Sequence, residues 1–139
     1  MKFHTFRVKP GQDLKMDIEK FVEANNIQAG FIITCVGGAK QVKLRSADTG
    51  IDKQDILTFA GPNKNNFEIT SLVGTVSVNG VHLHMTIADN TGKSFGGHLK
   101  EGTIVYPTAE VVIAEDEQVV FTRELDEKTG YAELIVSKA

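Results

Sequence analysis

The stretch "SLVGTVSVNGVHLHMTIADNTGKSFGGHL", Ser71 to Leu99, contains two turn signals and three of the four histidines of the chain. Asn79-Gly80 is the dipeptide best suited to the positive φ angles of a two-residue hairpin. Its expected register pairs Val78 with Val81, Val76 with Leu83, Gly74 with Met85 and Leu72 with Ile87, all on one apolar face. On the other face Ser77 meets His82, Thr75 meets His84 and Val73 meets Thr86. The second turn, "NTG" between Asp89 and Lys93, reads as a three-residue loop whose last glycine takes the left-handed position. That register sets Ile87 opposite Phe95, Met85 opposite Gly97 and Leu83 opposite Leu99, with His84 facing His98 and His82 facing Lys100. A two-residue loop would send His98 to the apolar side, because a one-residue slip reverses every side chain. The hydrophobic pattern rejects that slip.

The same alternation extends outward. A strand is expected at Lys2 to Val8, ending at Pro10-Gly11. In "DLKMDIEKFVEANN" the apolar residues Leu14, Ile18, Phe21 and Val22 recur at i, i+4, i+7 and i+8, and Asp13 stands where an N-cap accepts the free N–H groups of the first turn. This is the helix of the chain. The apolar run Phe31 to Val36 reads as a buried strand broken by Gly37-Gly38, with another strand from Gln41 to Ala47 and a loop from Asp48 to Asp55. In "NFEITSL", Phe67 and Ile69 share one phase and Leu72 starts another, which predicts a bulge near Thr70-Ser71. Strands at Thr108 to Ala114, Gln118 to Arg123 and Tyr131 to Val136 complete the series. The expectation is an α+β fold, mainly antiparallel sheet with one flanking helix, in a single domain over residues 1–139.

Composition narrows the function. With 41% hydrophobic and 24% charged residues the chain supports one buried core. A net charge of −3 and the lack of a Lys/Arg run give no electrostatic reason to seek a polyanion. The lone Cys35, within "FIITCVGG", rules out an internal disulfide and reads as a buried thiol. The N-terminal "MKFHTFRVKPG" lacks the apolar core of a signal peptide, and no membrane span stands out, so a cytoplasmic protein is expected.

The histidines carry the chemistry. His82 and His84 lie on one face of one strand with Cα atoms about 7 Å apart, and His98 sits across from His84. Three imidazoles aimed at one point form a candidate transition-metal site, zinc being the expected ion, with a coordination position left open. A solvated sheet face, or one packed on another subunit, is the competing reading. The bulge at Thr70-Ser71 would turn Glu68 toward the same face as a candidate ligand, ligand partner or general base; a carboxylate paired with Lys or Arg at a sheet edge competes with it. His4 reads as a strand residue. "VGGAK" has no phosphate-binding pattern, and Gly96-Gly97 allow close approach of a ligand or a neighbouring strand.

"FEITSLVGTVSVNG" followed by "HLHMTIADNTGKSFGGHLKEGTIVYPTAEVVI" resembles the PPC domain, the plants-and-prokaryotes conserved domain, over nearly the whole chain. The resemblance implies an antiparallel sheet with a flanking helix, a homotrimer, and a metal held by His82, His84 and His98 near the subunit boundary. In plant members a Gly-Arg-Phe-Glu-Ile-Leu stretch contacts partner proteins; Phe67, Glu68 and Ile69 match part of it, while Asn65-Asn66 replaces Gly-Arg and Thr70 replaces Leu. Prokaryotic members are often called DNA-binding by association with plant proteins that carry AT-hooks. This chain has no AT-hook, and direct DNA contact is not expected. The leading expectation is therefore a trimeric metal-binding regulatory module. A metal-dependent enzyme using Glu68 ranks second, and association with DNA, either direct or through a partner, third.

Overall fold

The computed structural model describes residues 1–47, 56–60 and 66–139; the loop expected at Asp48 to Asp55 lies outside them. In chain order the elements are β1 (Lys2–Val8), α1 (Leu14–Ala24), β2 (Ala29–Arg45), β3 (Ile56–Ala60), β4 (Phe67–Ser77), β5 (Gly80–Ala88), β6 (Ser94–Leu99), β7 (Ile104–Glu115), β8 (Val119–Leu125) and β9 (Ala132–Lys138). The fold is thus mostly antiparallel β-sheet with one helix, an α+β architecture.

Seven strands share one sheet, ordered β1-β7-β2-β4-β5-β6 with β3 beside β2; β8 and β9 make a separate hairpin. Helix α1 begins where Asp13 caps it, the carboxylate accepting from the Met16 N–H at 3.0 Å. Its buried stripe is Leu14, Ile18 and Val22 at four-residue spacing, the period that puts them on one face against the sheet. Phe21 stacks on Phe6 of β1 with ring centroids 3.9 Å apart. The core beneath includes Val42, Leu44, Val76, Leu83, Met85, Ile87, Leu99 and Ile113.

Strand β2 departs from expectation. Gly37-Gly38 does not break it, and 17 residues run continuously. The glycines instead mark one of three register shifts against β7. A Cβ at Gly37 would stand 1.9 Å from the Thr108 carbonyl oxygen, so only glycine lets β7 come this close. The irregularities bend β2 across the sheet. Phe31 pairs with Thr75 of β4, whereas Leu44 and Arg45 pair with Leu99 and His98 of β6. Strands β2, β4, β5 and β6 therefore close on one another. Gly97 permits that closure: a Cβ there would lie 2.7 Å from the Arg45 carbonyl oxygen.

The first hairpin also differs. Ser77 pairs with Gly80, making Val78 and Asn79 the loop residues, and the whole register is offset by two from the expected one. Thr75 thus faces His82, Val73 faces His84, Gly74 faces Leu83 and Leu72 faces Met85. The cause lies in the side chains at the turn. Asn79 does not take the positive φ that the expected turn needs; its amide bonds both backbone groups of Arg123, while Ser77 Oγ donates to the Gly80 carbonyl at 2.7 Å. An even offset keeps every side chain on its expected face, so the core assignment survives. Val78, placed in the turn, is half exposed.

Candidate metal centre

Each histidine owes its position to a local feature of its strand. His82 and His84 alternate with buried Leu83 and Met85 on β5. His98 is brought opposite His84 by the loop Asn90-Thr91-Gly92, in which Asp89 N–H donates to the Lys93 carbonyl. The Asp89 carboxylate accepts from Thr91 N–H, Thr91 Oγ1 and Lys93 N–H, which fixes the loop at three residues. The ladder from Ile87/Phe95 to His84/His98 follows the expected register. Beyond His98 the partner changes, and Leu99 pairs with Leu44. The bulge in β4 falls between Ile69 and Ser71, as the change of phase predicted.

The three rings converge. Their centroids are 4.9 Å (His82–His84), 5.1 Å (His82–His98) and 5.6 Å (His84–His98) apart, and one ring nitrogen from each lies within 4.8 Å of the other two. His82 Nε2 and His84 Nε2 are 3.2 Å apart. Nitrogens about 2.05 Å from a tetrahedral zinc stand roughly 3.3 Å from each other, so the His82–His84 pair already has the spacing of two zinc ligands. His98 Nδ1 is buried without a hydrogen-bond partner among the described residues. A buried nitrogen left without a partner is costly unless something else satisfies it, and the donor set fits a transition ion.

Electrostatics favour the form of imidazole that binds metal. Burial first, and then the Arg45 guanidinium, push His98 down to about 4. His82 is lowered by burial first and by Arg123 second, Glu133 partly opposing. Both rings are neutral at pH 7, with a lone pair free for coordination.

Glu68 lies apart from this cluster. The bulge sets it opposite Ala88, on the histidine side of the sheet but four residues along β5 from His84, about 13 Å at strand rise. His4 is a buried strand residue whose Nε2 lies 2.8 Å from a Glu115 carboxylate oxygen. Cys35 is buried, and desolvation pushes its thiol up to about 12.

Two functional candidates were not visible in the sequence. Arg45 reaches the site through the β2–β6 closure, directly across from His98. Arg123 arrives on the β8–β9 hairpin, its Nη2 donating to Thr75 Oγ1 at 2.6 Å. Both line a cleft of about 450 Å³ that His82 and His98 share with Tyr131 and Glu133. A lone arginine at the end of a strand carries no local signal of such a placement.

Comparison with known proteins agrees with this architecture. The chain is 39% identical over 138 residues to the bifunctional protein GlmU of Synechococcus sp. (strain JA-3-3Ab), which covers 99% of the chain but only 21% of that relative's length. A hypothetical protein of Salmonella cholerae-suis superposes with a TM-score of 0.89 at 34% identity, covering 99% of this chain and 94% of that one. A metal-containing protein of Archaeoglobus fulgidus gives a TM-score of 0.80 at 25% identity, with 97% and 94% covered. The model of the Plants and Prokaryotes Conserved (PCC) domain matches residues 1–117, and the chain therefore belongs to that family.

Proposed function

We propose that this chain is a cytoplasmic, trimeric binding and regulatory module built around a zinc site formed by His82, His84 and His98. The reading rests on the convergence of three imidazoles, one with an orphaned buried nitrogen, on a single point. The metal-containing relative from Archaeoglobus fulgidus supports it at 25% identity. When bound, a divalent ion supplies Lewis acidity and ties β5 to β6.

Self-association is supported by the face that carries the histidines. Phe3, Phe31, Val36 and Val73 are all exposed there, an apolar cluster of the kind that marks an interaction surface. Sedimentation should give a mass of three chains, and Phe31→Lys should shift it to one. A single-chain mass for the unaltered protein would refute the trimer.

Metal analysis of untagged protein tests the site. About one equivalent of zinc per chain is expected, falling below about a tenth in His84→Ala, with a loss of thermal stability in that variant only when metal is present. Equal metal content in the two proteins would overturn the reading. A second function, a metal-dependent enzyme acting on a small molecule, is favoured by one observation: two of the three histidines open onto the 450 Å³ cleft. Turnover that survives His84→Ala would exclude it.

A further inference from the structure

The cleft beside the histidines has a chemical character of its own. Arg123 is held rigidly, with Nη2 on Thr75 Oγ1 and its backbone N–H on Asn79 Oδ1, yet its Nε is buried with no hydrogen-bond partner among the described residues. It also has no ion-pair partner among them. The guanidinium that Thr75 fixes at the wall of the cleft carries the planar fork of N–H donors that suits a carboxylate. Arg45, which lines the same cleft, stacks over the Tyr131 ring at 5.9 Å from its centroid, which orients the second guanidinium.

Two guanidiniums line the cleft against the one carboxylate of Glu133, so cationic donors predominate beside the histidines. The volume suits a small organic molecule, at the lower end of the usual range of ligand pockets.

We propose that the cleft between the histidine cluster and the β8–β9 hairpin binds a small organic carboxylate, its carboxylate on Arg123 and Arg45 and its remaining polar groups turned toward the histidines. This rests on the metal reading for its second half only. The arginine half stands on the hairpin geometry, and the two can fail separately.

Lactate is the probe. The full chain is loaded with one equivalent of Co²⁺, whose visible spectrum reports on its surroundings, and titrated with lactate at constant ionic strength. A saturable spectral change is expected for the unaltered protein. Arg123→Gln should take up Co²⁺ with the same stoichiometry but bind lactate at least about tenfold more weakly, with Arg123→Lys recovering part of the loss, because one charge remains and the fork geometry does not. Arg45→Gln, on a different strand, should weaken lactate in the same direction and guards against a folding defect confined to β8. An unchanged lactate affinity in both glutamine variants overturns the proposal. Tighter binding of inorganic phosphate than of lactate overturns the carboxylate assignment.

If no Co²⁺ is taken up, the metal reading fails, and saturation-transfer NMR of lactate with the metal-free protein decides the arginine half. A saturable signal lost in Arg123→Gln supports that half. No signal from the unaltered protein overturns it.

Discussion

At the scale of single residues, His98 is the most informative side chain. Its folded pKa of about 4 lies below the ordinary histidine value of 6.5 because burial and Arg45 both oppose the charged ring. A lowered folded value means that the unfolded chain takes up the proton first. The neutral ring's contribution is therefore fully present above pH 6.5 and is lost as the pH falls toward about 4. The metal-free protein should show a falling thermal midpoint across this window, and His98→Asn should flatten that slope. An equal slope in the variant would show that the acid sensitivity has another source. Gly74 is the second such residue. Its φ is +148°, and a Cβ there would lie 2.0 Å from the His82 carbonyl oxygen. Gly74→Ala should destabilise the protein by about 3 kcal/mol in urea unfolding and weaken metal uptake, because β5 must move with His82 on it.

At the scale of elements, Asp13 links the helix to the sheet. One carboxylate oxygen caps α1 through Met16 N–H, and the other accepts the Gly102 N–H at 2.6 Å. Asp13→Ala removes both interactions and should cost about 2 kcal/mol in urea unfolding, roughly one for the cap and one for the loop contact. A loss below about half that figure would mean that water replaces one of the two. The β8–β9 hairpin is the element that sequence describes least well. Its strands were expected close to where they occur, but nothing local says that they leave the main sheet. The hairpin is docked by Val78 N–H on the Phe121 carbonyl, Phe121 N–H on the Gln28 carbonyl and the Asn79 amide on Arg123. These contacts join residues more than 40 positions apart.

At the scale of the whole molecule, alternation of side chains carried much of the reading. The bounds of β1, the Asp13 cap, the bulge at Thr70 and the pairing of His84 with His98 all follow from local periodicity and turn chemistry. The first hairpin was misplaced by two residues because the Asn79 side chain serves Arg123, a partner 44 positions away, and not its own turn. The continuity of β2 was hidden for a similar reason. Two glycines read as a break unless the neighbouring backbone that needs them is known, and Thr108 lies about 70 positions away in the chain.

Which face of each strand is buried, and that three histidines share the other one, follows from neighbouring residues alone, because a strand's period of two is a local property fixed by the pleat. What else stands beside the histidines depends on long-range packing. Arg45 comes by closure of β2 onto β6, and Arg123 comes by docking of a hairpin. Both are pairings over long loops, whose geometry is set by the packing of the whole chain and leaves no mark on the residues nearby.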